Sequence, residues 1–91
     1  MIKFVVKKDG SKEAFDPEKV KKGVRLAARA ANLAEDKVEE LAAAILAKVI
    51  GFAGDKEEIT SPEIREVALN ELDIMDPVVS AAWRNYGQKK A

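Results

Sequence analysis

The chain has 91 residues, equal numbers of basic and acidic side chains (16 each), and neither cysteine nor histidine. This composition excludes disulfides, thiol nucleophiles, imidazole bases and the usual zinc sites. The length fits one domain over residues 1–91, and 47% hydrophobic residues with only 5% aromatic ones indicate a core of Ala, Val, Leu and Ile.

The first predicted element is a β-hairpin. Asp9-Gly10 is a strong two-residue turn signal, because glycine adopts positive φ without steric penalty, and a return strand from Ser11 to Phe15 follows. An isolated hairpin is only marginally stable, so we expect it to pack on the ends of the first two helices. Alternation along the strands predicts these inward-facing residues: Ile2, Phe4, Val6 and Phe15.

Two helices follow. Asp16 can cap a helix with Pro17 at its first position, and the apolar spacing predicts a helix to about Ala31 with a basic exposed face. The second helix begins near Glu35-Asp36 and ends near Gly51 or Gly54, with residues 51–56 predicted as a loop. Its apolar stripe is the clearest in the chain: Val38, Leu41, Ala42, Ile45, Leu46 and Val49.

A short extended piece at Glu57–Ile59 precedes a third helix. Its start reads Thr60-Ser61-Pro62-Glu63, in which either Ser61 caps the helix or Thr60 and Glu63 form a capping box, and the sequence leaves both open. Its predicted buried side is Ile64, Val67, Ala68 and Leu72.

Asp76-Pro77 starts a fourth helix that runs to about Gly87, followed by a frayed tail from Gln88 to Ala91. We expect Trp83 to cap the core; the alternative is a protein-interaction bundle in which Trp83 and Tyr86 form an exposed anchor. The fold class is therefore α+β and mostly helical, a four-helix cluster capped by an N-terminal β-hairpin with a short third strand.

Charge is unevenly distributed along the neutral chain. Residues 1–34 carry nine basic and four acidic side chains, whereas residues 35–76 carry four and twelve. The two segments can dock on each other, and the basic one suits an anionic ligand. The longest apolar run, Leu41–Ala47, falls far short of the about 20 residues that span a bilayer, and no secretory pattern is present, so we expect a soluble cytoplasmic protein without membrane contact.

Lysines crowd the hairpin and the start of the first helix. Fixed cations and free helix N–H groups are what a phosphate needs, but no glycine-rich phosphate loop is present. Taken alone, Lys7-Lys8-Asp9-Gly10 is more typical of a solvated turn than of a ligand site. The clustered lysines are Lys7, Lys8, Lys12 and Lys19.

The front of the chain resembles the ATP-cone domain, the nucleotide-sensing module of many ribonucleotide reductases and of the bacterial repressor of their genes. Ile59-Thr60-Ser61-Pro62-Glu63-Ile64 is similar to a second part of that family, so the likeness covers nearly the whole chain. The main motif is Val5-x-Lys7-Lys8-Asp9-Gly10-x-x-Glu13-x-Phe15-Asp16-x-x-Lys19-Val20.

The resemblance implies a role for each matching residue. Val5 lies against the nucleotide, Glu13 fixes the base or sugar, and Ser61 and Arg65 contribute from the third helix. The phosphates are reached by Lys7, Lys8 and Lys19. Lys8 replaces the family's usual Arg and loses its bidentate geometry, and the last helix lacks the Tyr-x-Arg pattern often seen there.

The function implied is non-catalytic: binding of ATP or dATP, with Mg²⁺ as a possible companion, that alters self-association or docking on a partner. The partner is a ribonucleotide reductase or another regulated protein acting in trans, and nucleic acid is not expected as a ligand. The alternative is a small helical nucleic-acid-binding domain, which would use the basic face of the first helix: Lys19, Lys21, Lys22, Arg25 and Arg29.

Overall fold

A three-stranded sheet lies at one end of four helices. The structure is a computed structural model that describes the backbone of residues 1–89 and the side chains of residues 1–85. Helix α1 packs on α2 and α4, and α3 packs on the same two helices. The elements are β1 (Phe4–Val6), β2 (Lys12–Ala14), α1 (Pro17–Ala30), α2 (Glu35–Ala53), β3 (Glu58–Thr60), α3 (Ser61–Met75) and α4 (Pro77–Lys89). The α+β, mostly helical fold class is confirmed.

The central strand of the sheet is β1. It pairs antiparallel with β2, where Val5 faces Glu13, and parallel with β3, where Val5 faces Ile59. A parallel pairing needs a long crossover, which α1 and α2 supply. The predicted third strand is therefore real, and it continues directly into α3.

Side-chain caps start three of the helices. The Asp16 carboxylate accepts from the Glu18 N–H at 2.9 Å, and Asp76 accepts from the Val78 N–H at 3.1 Å. For α3 the structure selects the capping box: the Glu63 N–H donates to Thr60 Oγ1 at 3.2 Å, and the Thr60 N–H donates to Glu63 Oε1 at 2.9 Å. Thr60 is thus the cap, and the hydroxyl of Ser61 is left for other contacts.

The hydrophobic interior has two clusters. The bundle core fills the space between the helices, and partly buried Trp83 packs against it, as predicted. The cap core lies under the sheet. The bundle core comprises Val24, Ala27, Ala28, Val38, Leu41, Ala42, Ile45, Ala68, Leu72 and Val79. The cap core comprises Ile2, Val5, Val20, Val49, Ala53 and Ile59.

The predicted inward face of β1 is wrong for two of its residues. Phe4 is 42% exposed and Val6 is half-buried, whereas Val5 is buried in the cap core together with Ile2. The strand begins only at Phe4, so Ile2 lies outside it and cannot be used to set which residues face inward. Moving the alternation by one residue exchanges the two faces of a strand, so Val5 faces inward in place of Phe4 and Val6. Phe15 packs against the cap core as predicted.

The loop predicted over residues 51–56 starts too early. Helix α2 continues through Phe52 to Ala53, because Ala53 is one turn after Val49 and is buried in the cap core. Gly54, at φ 56°, ends the helix. Helix α4 likewise extends past the predicted end at Gly87 to Lys89, while the Tyr86 side chain and the end of the predicted frayed tail (90–91) lie outside the described residues.

Candidate functional site

Two adjoining cavities lie where the hairpin meets the helices. The first, of about 200 Å³, extends from the hairpin to α1 and includes Lys19 in its lining. The second, of about 390 Å³, lies against the hairpin turn and includes Lys7 and Lys8. Val5, Glu13 and Ser61 line both. The structure thus brings together six of the seven predicted site residues: Val5, Lys7, Lys8, Glu13, Lys19 and Ser61.

The hairpin turn holds Lys8 in a well-defined loop. The Lys7 N–H donates to the Ser11 carbonyl at 2.8 Å, and the Gly10 N–H donates to the Lys7 carbonyl at 2.9 Å. Because Lys7 pairs with Ser11, the loop consists of Lys8, Asp9 and Gly10, three residues rather than the predicted two, and Gly10 adopts φ 87° at its end. The Asp9 carboxylate accepts from the hydroxyl (2.6 Å) and the N–H (2.9 Å) of Ser11, and these bonds lower the pKa of Asp9.

Glu13 connects two lysines from different elements. Lys7 Nζ lies 3.2 Å from Glu13 Oε2, and Lys19 Nζ lies 3.5 Å from Glu13 Oε1. The hydrogen bond from Lys7, aided by the charge of Lys19, holds the pKa of Glu13 below its ordinary value. One carboxylate therefore keeps a strand-end lysine and a helix lysine on one side of the cavity, where an anion would compete with it for both.

The start of α3 forms the facing wall. Because Thr60 caps the helix, Ser61 is its first residue and lines both cavities. The first turn of a helix carries N–H groups without intrahelical partners and the positive end of the helix dipole. Pro62 has no N–H and the Glu63 N–H is bound to Thr60, so this wall offers the Ser61 hydroxyl and the positive end of the helix dipole opposite the lysines.

Arg65 is not brought into the two cavities. It lines a separate cavity of about 340 Å³ with Lys8, Arg84 and residues of α3. Lys8 is the one predicted site residue that lines both this cavity and the second hairpin cavity. Ile64, the residue before Arg65, lines the first cavity instead. Consecutive residues of a helix point in different directions, so Arg65 does not face the same cavity as Ile64.

Sequence reasoning missed the apolar part of the first cavity. Gly23 in the middle of α1 is one signal that could have pointed to it, because glycine there is unfavourable relative to alanine. A Cβ at Gly23 would lie 3.8 Å from the Trp83 ring, an ordinary contact, so packing does not require the glycine. The additional lining residues are Ala14, Phe15, Asp16, Val20, Gly23, Ile64 and Trp83.

The basic face of α1 is largely neutralised by carboxylates. Arg25 donates to both carboxylate oxygens of Glu39 at 2.8 and 3.0 Å, and Arg29 donates to Glu35 at 2.9 and 3.2 Å. These bonds raise the pKa of both arginines. The predicted docking of the basic segment on the acidic one is thus seen directly between α1 and α2, and it lowers the charge left for a nucleic-acid surface.

The fold defines a small α+β module in which a β-hairpin and two helix starts enclose a cation-lined cavity. The chain belongs to the ATP-cone domain family, whose model matches residues 3–91.

Relatives of known name support this assignment. The chain is 32% identical over 90 residues to the transcriptional repressor NrdR of Rhodospirillum rubrum, a match covering 94% of this chain and 58% of that protein. It is 36% identical over 78 residues to the NrdR of Sorangium cellulosum, covering 86% of this chain and 50% of that protein. The chain spans about half the length of the curated relatives it matches.

Two further properties bear on the site. Among residues 1–89 no helix is long and apolar enough to cross a membrane. Among the side chains of residues 1–85, no three acidic groups lie closely enough together to hold a metal ion.

Proposed function

We propose that the chain is a non-catalytic regulatory module that binds ATP or dATP in the two adjoining cavities. The observation that carries the proposal is the meeting of Lys7, Lys19 and the start of α3 around Glu13 in a member of the ATP-cone family. Lysine ammonium groups are point charges suited to a triphosphate, and the Ser61 hydroxyl and the dipole of α3 add to them.

The two cavities divide the ligand by chemistry. The first has an apolar part, formed by Val20, Ile64 and Trp83, which suits an adenine ring. The second is lined by Lys7 and Lys8 and suits the phosphates. Glu13 lies between them and can accept a hydrogen bond from the base or sugar. Mg²⁺ commonly binds through phosphate oxygens and one or two carboxylates, so it can accompany the triphosphate here.

Regulation would operate through α3. Val5 of β1 pairs with β3, and β3 continues into α3, whose first residue lines the cavities. A ligand shifts a conformational equilibrium only by its differential affinity for the two states. Nucleotide binding would therefore act on the packing of α3, and through it on self-association or on docking to a reductase or another regulated protein.

A role connected with nucleic acid is the second candidate. The matched relatives are named transcriptional repressors, so the expectation that nucleic acid is not a partner receives no support from them. In this chain the arginines of α1 are paired with carboxylates. We therefore propose that this chain contributes nucleotide sensing to such a role, and that direct contact with DNA is made elsewhere.

Calorimetric titration of the chain tests both candidates. ATP and dATP, each with Mg²⁺ and with a chelator, are compared with GTP and a short DNA duplex. Charge-assisted hydrogen bonds contribute about 1.5–3 kcal/mol, so Lys7→Ala and Lys19→Ala should each weaken ATP binding by roughly 10- to 100-fold. Lys22→Ala, an exposed lysine of α1 that does not line either cavity, is the matched control and should leave the affinity unchanged.

Unchanged ATP affinity in both lysine variants would refute the site. Saturable binding of the duplex without nucleotide binding would instead favour direct nucleic-acid contact. Circular dichroism of each variant separates loss of binding from loss of fold.

A further inference from the structure

A groove with a volume of about 960 Å³ lies between α2 and α3. None of the seven predicted site residues lines it. It is therefore distinct from the hairpin cavities, although α3 contributes to both.

The floor of the groove is apolar and leaves room for an incoming side chain. Helix α2 contributes Ala44, Ala47 and Phe52, and α3 contributes Val67 and Ile74. Phe52 is 52% exposed and Ile74 is 78% exposed. Small residues beside large exposed ones form the kind of apolar surface that marks interaction sites on soluble domains.

The rim of the groove is acidic. Glu63, Glu66 and Glu71 line it from α3, and Lys48 is its one basic lining residue among the described part of the chain. The Lys48 ammonium lies 3.7 Å from the Glu71 carboxylate, so it is already partnered. Glu66 makes no ion pair with any side chain of residues 1–85. The groove therefore favours an occupant that brings positive charge.

We propose that the groove binds a cationic amphipathic helix of a partner protein. Its apolar side chains, spaced at i, i+3 or i+4, and i+7, would contact Ala47, Phe52 and Ile74, and its flanking lysines or arginines would pair with the glutamates of α3. The helix-in-groove mode uses apolar anchors for affinity and charge for orientation and selectivity.

The chain's own basic helix does not meet this description. In α1 the one large apolar side chain that is well exposed is Leu26, at 46%. Arg25 and Arg29 of that helix are already bound to glutamates of the same chain. Helix α1 of a second copy thus lacks the row of anchors, and its two arginines are already paired, so we assign the groove to a different protein segment.

The test uses a synthetic peptide of about 18 residues, five helical turns, with Leu at the anchor spacing and Lys elsewhere. Two control peptides replace Lys by Glu or shuffle the Leu positions. Binding is measured by fluorescence anisotropy without nucleotide, so the result does not depend on the hairpin site. The Lys peptide should bind, and both controls should bind at least about tenfold more weakly.

Matched variants locate the binding. Ala47→Arg blocks the floor of the groove, and Glu66→Lys reverses the charge at its rim. Each should lower the affinity for the Lys peptide by about tenfold. Ala43→Arg, at an exposed alanine of α2 outside the groove, and Asp55→Lys, at an exposed carboxylate outside it, should change the affinity less than twofold. All four positions are exposed, and circular dichroism checks that each variant folds.

Three results would overturn the proposal. These are no binding of the Lys peptide, equal binding of the shuffled peptide, and equal weakening by groove and control variants. Sedimentation of the parent chain adds a fourth: self-association that Ala47→Arg abolishes would show that the groove is closed by a second copy.

Discussion

The hairpin cavities and the α2–α3 groove differ in chemistry within one neutral chain. The first are lined by three lysines, by Asp9, Glu13 and Asp16, and by residues from the hairpin, α1, α3 and α4. The second is apolar, is lined by three glutamates, and is formed by two helices alone. A net charge of zero therefore conceals one region that gathers lysines and another that gathers glutamates.

Helix α3 is common to both regions. Ser61 lines the hairpin cavities, while Glu63 lines the groove and also completes the cap of the same helix. A change that moves the start of α3 should therefore act on both regions, and a change confined to one lining should act on one.

The largest effect is expected from Ile45→Ala in the bundle core. Ile45 lies on α2 and is fully buried. Truncating a buried isoleucine to alanine lowers the free energy of unfolding by about 2–5 kcal/mol, because contacts are lost and a cavity remains. Urea denaturation should show this loss, and ATP and peptide binding should fall together as the folded fraction falls.

Ile50→Ala on the same helix is the matched control. Ile50 is 48% exposed, so its removal should change the free energy of unfolding far less. Equal destabilisation by the two variants would contradict the assigned core.

The next effect is expected from Thr60→Ala at the start of α3. Removing a capping hydroxyl costs about 0.5–2 kcal/mol of stability, and the Thr60–Glu63 bonds support residues of both regions. We expect a lower melting temperature and weaker binding of both ATP and the cationic peptide. Thermal unfolding and the two binding assays measure this.

Ser61→Ala separates the two possible caps. Because Thr60 is the cap, this variant should retain nearly the parent melting temperature. Its affinity for ATP should fall, and its affinity for the cationic peptide should not change. A fall in stability as large as that of Thr60→Ala would mean that Ser61 caps the helix in solution.

Helix starts and the third strand were predictable because their signals are local. Asp16, Asp76 and the Thr60–Glu63 box act on N–H groups within three residues of them. The inward face of β1 was not predictable, since the cap core selects Val5 through Val20, Val49 and Ile59, which lie far along the chain.

The hairpin cavities and the groove also differ in how local their sequence signals are. The lysines and Glu13 of the hairpin cavities lie within residues 7–19, so one short motif indicates them. Trp83 and Ile64 reach the same cavity only through packing. The groove is not evident from the sequence, because the pattern predicts a loop at Phe52, whereas burial of Ala53 extends α2 and places Phe52 on the helix beside α3.

Glu13→Gln should have a smaller effect, and it should strengthen rather than weaken anion binding in the hairpin cavities. Without ligand the carboxylate pairs with Lys7 and Lys19 and competes with any phosphate. Its removal should raise the affinity for inorganic tripolyphosphate a few-fold, by roughly the strength of an exposed ion pair. If Glu13 also binds the adenosine part, the preference for ATP over tripolyphosphate should fall.

Calorimetry with both ligands measures that preference, and peptide binding in the groove should not change. Weaker tripolyphosphate binding by Glu13→Gln would show that the carboxylate mainly positions the lysines rather than competing with the anion.

The smallest effect concerns a contact that belongs to neither region. Arg84 of α4 donates to both carboxylate oxygens of Asp73 near the end of α3, each at 2.9 Å, and this lowers the pKa of Asp73 to about 2. The folded state thus favours the ionised carboxylate, because the ordinary pKa of an aspartate side chain is 3.8. Its stabilisation should be fully present above that value and should disappear as the pH falls through about 2.

Thermal unfolding of Asp73→Asn and the parent chain between pH 6 and pH 2 tests this. The parent should melt slightly higher at pH 6, and the difference should vanish at the acid end, with ATP and peptide affinities unchanged at neutral pH. Arg84→Ala should reproduce the same pH profile, because it removes the other half of the same contact. A difference in melting temperature that persists unchanged to pH 2 would show that packing of the side chain, and not its charge, joins α3 to α4.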